Sequence, residues 1–401
     1  MTKAKQTSVE KYDVIINGGG MVGATLGCLL AQAGKKIAVI EAAPTVKFDA
    51  KKPHDLRVSA ISRASQSAFE TIDVWAEILS MRAMPYEAMD VWDGSFDSDN
   101  NANSNVRFEA ADIGEPDLGH IIENTVIQTA LVKTLSASSN VTLYQPGKLK
   151  SFEVLDDSVV ATLDSGKRLS ADLIVGADGA NSQVRELAGI DVTVDDYAQR
   201  GLVATVKTQY HHEYTAWQRF QSTGPLAFLP LSEDSCSIVW TLPSDRADYY
   251  LSLNKTDFKE ALTEAFEHKL GKITKVSERA AFPLRGSQAK PYVLERIALI
   301  GDAAHTIHPL AGQGVNLGIK DAVELAQQLT NIDDCGSLKA LRKYERARRG
   351  DNVITMRAME AFRLLFGHDA NSVKVARNFG MKLFNQIPAV KNQVIKKAMG
   401  L

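Results

Sequence analysis

The sequence predicts an α/β protein: a discontinuous Rossmann-like nucleotide-binding domain, an inserted, mainly antiparallel β-sheet domain, and a helical C-terminal region. Three observations predict it. A strand–turn–helix–strand unit opens the chain, short strands joined by tight polar turns fill its middle, and a glycine-rich turn after residue 300 resumes the buried-strand style of the beginning.

In the opening unit, Val14-Ile15-Ile16 precedes a run of glycines. Apolar residues then recur at helical spacing from Met21 to Ala33, and Ile37-Ala38-Val39-Ile40 follows. Connections this short suit a parallel βαβ unit. Residues 56–85 read mainly as helix. A strand begins near residues 89–92, and the polar stretch 97–105 reads as an exposed hairpin loop. A second helix spans 123–136, and strands follow at 141–144, 152–155, 159–163 and 169–175. Residues 202–208, 217–220, 226–231 and 236–242 form an antiparallel sheet, with a tight turn at 232–235 and one helix at 257–270. A buried strand at 296–300 leads to a helix from Asn316, and the chain from Leu338 onward is almost wholly helical, with Pro388 starting the last helix.

With 401 residues, 45% of them hydrophobic, the chain can bury a large core in two domains. Its net charge of −2 argues against a polyanionic partner but hides an asymmetry: residues 339–401 carry net +10 and residues 1–338 net −12. Cys28, Cys236 and Cys335 are widely spaced and form no C-x-x-C pair, which fits a reducing cytoplasm and neither a disulfide framework nor a metal site. The polar N-terminus shows no signal-peptide pattern, and no apolar run reaches the roughly 20 residues needed to span a bilayer. The expectation is a cytoplasmic protein, either free or peripheral at the inner face of the membrane.

Three motifs carry chemistry. In the first, Gly18, Gly20 and Gly23 form G-x-G-x-x-G between a strand and a helix, with Glu41 closing the second strand. Such glycines let backbone N–H groups approach a pyrophosphate at a helix N-terminus, while the acid accepts hydrogen bonds from a ribose. Asn17, where an apolar strand end is expected, departs from the pattern. The second motif, Gly176-Ala177-Asp178-Gly179, continues through Ser182 to Val184-Arg185. Read alone, it is an Asp-Gly turn with a helix cap at Ser182. The third, Gly301-Asp302-Ala303-Ala304-His305, continues through His308-Pro309 and Gly312-Gln313-Gly314-Val315-Asn316 to Asp321. Asp302 after a buried strand suits the hydroxyls of a ribityl chain. The glycine-rich helix entry suits the negative charge of a reduced flavin.

Together these motifs resemble the class A flavoprotein monooxygenases of the para-hydroxybenzoate hydroxylase-like fold. Residues 308–321 resemble the signature of the ubiquinone-biosynthesis hydroxylases, and the closest likeness is to the 2-polyprenylphenol 6-hydroxylase branch. Residues 56–61, 91–93, 118–124 and 224–231 agree, so the resemblance spans essentially the whole chain. It implies an FAD-binding domain at 1–75, 120–190 and 283–337, a substrate domain at 76–119 and 191–282, and the helical region at 338–401. It implies that Gly18, Gly20, Gly23 and Glu41 hold the ADP half of FAD and Arg57 the diphosphate. Gln128 would contact the phosphate–ribityl region and Asp178 and Asp302 would complete the site, with Gly312, Gln313, Gly314, Val315 and Asn316 facing the isoalloxazine ring.

The resemblance further implies hydroxylation of a polyprenyl phenol by O₂ through a flavin C4a-hydroperoxide. With a single fingerprint spent on FAD, NAD(P)H would bind transiently, or a protein would donate the electrons. No catalytic base is identified; His305, His308 and Arg219 are candidates. Leu226, Phe228, Trp240 and Phe282 are candidates for an apolar prenyl pocket, or plain core. Val375, Phe379, Leu383, Val390, Val394 and Ala398 recur at helical spacing among lysines. They suit either an anionic membrane or a biosynthetic partner, or ordinary packing. Competing readings are hydroxylation of another aromatic substrate, a prenyl-lipid reductase, and a non-catalytic flavoprotein subunit. A flavin halogenase is disfavoured because its W-x-W-x-I-P motif is absent.

Overall fold

The computed structural model describes residues 9–45, 47–93, 105–307, 314–367 and 371–401. Its first sheet has the strands Glu10–Asn17, Ile37–Ile40 and Val141–Tyr144 on one side and Arg168–Gly176 and Ile297–Leu299 on the other, all parallel. The central strands are buried apolar runs, as expected when helices cover a parallel sheet. The helix Met21–Gln32 packs between Asn124–Ala137 and Gly314–Leu329. It is buried on most of its surface. A Cβ on Gly27 would lie 2.9 Å from Leu135, which shows how close the first two helices come.

The second sheet runs in the order His305–Thr306, Ala280–Lys290, Asp191–Thr208, Ser235–Pro243, Leu226–Ser232, Thr215–Phe220, Ala88–Asp93 and Asn105–Glu109. It is antiparallel except where Thr215–Phe220 meets Ala88–Asp93. Strands 88–93 and 105–109 pair as a hairpin, and most of the expected polar loop between them lies outside the described residues. The boundary expected between 282 and 283 falls inside the strand Ala280–Lys290. That strand is one element because it pairs along its length with residues 191–203.

Two local readings are corrected. The stretch read as mainly helical contains the helices Arg63–Thr71 and Trp75–Met81. Strands Val58–Ile61 and Met84–Tyr86 flank them and join Gly119–Glu123 in a small third sheet. Four and three residues are too few to show a period of their own. A helix at Ser244–Ser252 also precedes the expected one, which spans Lys255–Ala265. Only Ala247 of the earlier helix is buried, so its sequence lacks an apolar stripe. The C-terminal region is the helices Leu338–Gly367, Asn371–Asn385 and Pro388–Met399. Among the described residues no helix is long and apolar enough to cross a membrane. All three cysteines are free and buried.

Candidate flavin site

The three motifs, far apart in sequence, begin at the carboxyl ends of three adjacent parallel strands. Asn17 pairs with Gly176, and Gly176 with Leu299. Backbone bonds continue the alignment one residue further: the Ala177 N–H donates to the Asn17 carbonyl at 2.8 Å and the Ile300 N–H to the Gly176 carbonyl at 3.0 Å. Open α/β sheets bind ligands in the crevice outside these strand ends.

The fingerprint glycines answer different demands. Gly18 has φ +108°, and a Cβ there would lie 2.3 Å from the Ala177 carbonyl oxygen; on Gly23 it would lie 2.0 Å from that of Gly18. Both contacts are with backbone and cannot be relieved by rotating a side chain. On Gly20 a Cβ would meet nothing within 4 Å, so its backbone faces open space at the start of the helix. The Glu41 carboxylate is oriented by backbone donors, Gly19 N–H at 2.7 Å and Ala43 N–H at 2.7 Å, leaving a further lone pair on each oxygen for ribose hydroxyls.

Asn17 has a structural explanation. Its amide donates to Asp178 Oδ2 at 2.8 Å, tying the first motif to the second. The same oxygen accepts from the Gln183 N–H at 2.8 Å, while Asp178 Oδ1 is buried without a protein partner among the described residues. An unsatisfied buried carboxylate oxygen is costly, and a ligand hydroxyl or water would relieve it. Ser182 caps the following helix by accepting from the Arg185 N–H at 3.1 Å, so the Asp-Gly turn and cap are real. Arg185, buried, reaches across to the Ala303 carbonyl at 2.9 Å and joins the second motif to the third.

Asp302 is solvent-accessible, yet desolvation by surrounding protein raises its carboxyl above the ordinary range, against the pull of the charges on His305 and Arg57. Asp302 thus stays open to solvent while protein surrounds it, with Arg57 close enough for its charge to be felt there. Arg57 itself is exposed, with its guanidinium 5.8 Å from the centre of the Phe282 ring. Gln128 is half-buried on the helix Asn124–Ala137.

Gly314 faces open space at the start of the helix Gly314–Leu329, whose first turn carries no acid to offset its positive end. Val315 packs on the core. His308, Gly312 and Gln313 lie outside the described residues.

The Asn316 side chain is committed to protein, and the two described candidate bases are corrected. The Asn316 oxygen accepts from Ser62 N–H at 3.0 Å and Ser65 Oγ at 2.7 Å, and its amide donates to the Ala60 carbonyl at 2.8 Å. It pins the helix start to the segment after Arg57. His305 is buried and held by Asp321 at 2.5 Å, against the face of Tyr292, which removes it as a candidate base. Arg219 shares the sheet face of its partner Leu226, bonds the Ala265 carbonyl and pairs with Glu267 at 2.6 Å on the helix side.

The same alternation corrects the pocket. Leu226, Phe228 and Trp240 pack with Phe258, Leu262 and Phe266 beneath the helices. Their strand neighbours Ala227, Leu229 and Val239 point to the opposite face, where Leu229 meets Ala60 and Ile121. Phe282, 43% exposed beside Arg57, belongs to that second face through its pairing with Gly201.

Sequence reasoning missed the network behind the third motif. Asp321, fully buried, accepts from Gly301 N–H at 3.0 Å, Arg348 Nε at 2.9 Å and Asn352 Nδ2 at 3.3 Å as well as binding His305. Burial alone would raise its carboxyl; His305 and Arg348 outweigh burial and hold it below the ordinary value. The available signal was the pair Arg348 and Asn352, four residues apart on one helix face.

The chain matches the family model described as "FAD binding domain" over residues 11–356. It is 38% identical to the 3-demethoxyubiquinol 3-hydroxylase of Escherichia coli (strain K12), over 97% of this chain and 98% of that protein. It is 35% identical to the ubiquinone hydroxylase UbiL of Rhodospirillum rubrum, over 97% and 89%. The p-nitrophenol 4-monooxygenase PnpA of Pseudomonas putida DLL-E4 shares the fold, with a TM-score of 0.79 at 18% identity, over 98% and 99% of the two chains. These relatives carry the family and not a ring position: this chain is an FAD-dependent monooxygenase of the ubiquinone-biosynthesis hydroxylase family.

Proposed function

We propose that this chain hydroxylates the aromatic ring of a polyprenyl phenol on the way to ubiquinone. The observation that carries the proposal is the convergence of all three motifs on one crevice, opposite the sheet face that bears Phe282. The donors and acceptors fit FAD. Gly18, Gly20, Gly23 and Glu41 would hold its ADP half, Arg57 its diphosphate, and Gln128, Asp178 and Asp302 its phosphate–ribityl region. Backbone groups of residues 312–316 would face the isoalloxazine ring. When bound, the reduced cofactor supplies the activated oxygen, with NAD(P)H, the typical reductant of these monooxygenases, as electron source. The protein's part is to orient the phenol and exclude water, for which Ala227, Leu229, Val239 and Phe282 offer an apolar wall.

The C-terminal helices are our candidate for contact with the membrane that holds such a substrate. Residues 371–401 contain six basic residues and no acidic one. Phe379 (69% exposed), Leu383, Val390 and Val394 are exposed, as are Lys382, Lys396 and Lys397. Not all of the basic charge is free: Arg377 is buried against Asp93, and Lys391 pairs with Asp112 at 3.0 Å.

Oxygen uptake with a short-chain prenyl phenol and NADH, with mass spectrometry and NMR of the product, tests the reaction. A ring-hydroxylated product supports the proposal, and its regiochemistry identifies the branch. Turnover only with unprenylated phenols, saturation of a prenyl chain, or tight FAD without turnover under either NADH or a protein donor would each overturn it. Phe379→Ser with Leu383→Ser should abolish sedimentation with anionic vesicles without loss of FAD. Unchanged sedimentation would exclude the membrane contact.

A further inference from the structure

The turn that carries Asp302 is clamped from behind by one carboxylate. Asp321 Oδ2 takes the backbone N–H of Gly301, immediately before Asp302, at 3.0 Å, and His305, three residues after it, at 2.5 Å. Both ends of a five-residue turn therefore meet on a single oxygen. The other oxygen takes Arg348 at 2.9 Å and Asn352 at 3.3 Å, both from the helix Leu338–Gly367, so the carboxylate cannot swing away. Arg348 is fixed in turn by Asp351 at 2.8 Å and by the Asn352 side-chain oxygen at 2.8 Å. Asp321, His305, Arg348 and Asn352 are all buried.

The turn is also held from its sides. His305 stacks on the Tyr292 ring, with centroids 5.8 Å apart and planes at 29°, and pairs with Gln288 of the second sheet, while Arg185 bonds the carbonyl of Ala303. Asp302 is the only one of residues 301–305 whose side chain is accessible to solvent in the crevice. Its neighbours are fixed, and it alone is presented.

We infer that Asp321 is a positioning residue for FAD binding: it shapes the Gly301–His305 turn so that Asp302 is delivered in one geometry, and His305 is its arm rather than a base. The inference rests on the proposed role of Asp302 as a cofactor ligand. A ligand carboxylate held in advance loses little freedom when it binds, whereas one on a loose turn must be ordered each time. The charged donors around Asp321 serve the same end, because a buried carboxylate with four satisfied contacts has no second arrangement of comparable energy.

The test is a double-mutant cycle read as the dissociation constant of FAD from the reconstituted apoprotein, with no turnover involved. Asp302→Ala should weaken FAD by about tenfold or more, as expected for loss of a charge-assisted hydrogen bond. Asp321→Asn should weaken it by about three- to tenfold in the wild-type background, within the range of couplings inside one network. In the Asp302→Ala background the same substitution should change it by less than about twofold. An equal loss in both backgrounds would show a general structural role and overturn the inference, as would no loss in either. If Asp302→Ala itself leaves FAD affinity unchanged, the ligand assignment fails instead, which is a distinct result.

Should Asp321→Asn fail to fold, His305 provides the same comparison. His305→Gln keeps a donor for Asp321 and should keep most FAD affinity. His305→Phe keeps a ring against Tyr292 but has no donor, and should lose affinity only while Asp302 is present. Equal behaviour of the two variants would overturn the inference.

Discussion

The crevice at the strand ends and the C-terminal helices both rest on short sequence patterns, but they treat those patterns in opposite ways. In the crevice nearly every patterned residue is committed to protein contacts: Asn17 to Asp178, Arg185 to Ala303, Asn316 to Ala60, Ser62 and Ser65. Among the described residues, what stays open is a small set of groups: the Gly20 and Gly314 backbones, Asp302, Arg57, Asp178 Oδ1 and the remaining lone pairs of Glu41. In the C-terminal helices the pattern divides. Ile395 and Met399 dock beside Ala110 and Leu118, and Phe366 stacks on Phe220, while Phe379, Leu383, Val390 and Val394 remain exposed. Of the apolar stripe that periodicity picks out, the described side chains are the ones left outside. Helical spacing shows that a face is apolar but not what covers it.

The largest effect expected from breaking this contrast is in the crevice. Gly23→Ala puts a Cβ 2.0 Å from the Gly18 oxygen and should abolish FAD retention, seen as colourless purified protein; full flavin content would show that the turn can relax. Gly20→Ala sharpens the point. Its Cβ meets no protein atom, so the apoprotein should melt normally while FAD affinity falls, and unchanged affinity would place the diphosphate elsewhere.

Next comes the docked side of the tail. Arg377→Met strips the buried Asp93 of a bonded counter-charge, a change that costs about 3–5 kcal/mol in comparable buried pairs. Urea unfolding should show it, whereas Lys382→Met on the exposed side should stay within about 0.5 kcal/mol. Similar stabilities for the two would mean that the tail is not an integral part of the fold. Asp302→Asn is a milder version of the crevice test: the amide oxygen still accepts a neutral hydrogen bond, so FAD should weaken by only about 1 kcal/mol, without lowering the melting temperature of the apoprotein. The smallest effect belongs to the exposed lysines. Lys396→Gln and Lys397→Gln should each reduce binding to anionic vesicles by about 1 kcal/mol at low salt, an effect that salt should erase. A loss that persists at high salt would overturn the electrostatic account.

The sequence by itself determined the alternation of elements and the three motifs, because each depends on neighbours within a few residues. Glycines at fixed offsets, a buried apolar strand before each turn and an acid at the next strand end are local demands of close backbone approach and can be read without knowing the fold. Even the anomaly at Asn17 was legible as an anomaly, though its partner lies 161 residues away. The tertiary structure alone decided which groups meet. Strand order placed Asn17, Gly176 and Leu299 side by side. Strand parity turned Leu226, Phe228, Trp240 and Arg219 toward the helices, leaving Ala227, Leu229 and Phe282 on the other face. A strand buried on both faces reads as uniformly apolar, so its pattern does not say which face looks onto a crevice. Burial then converted His305 from a candidate base into the partner of Asp321, because a charge out of water must be paired before it can serve any chemistry.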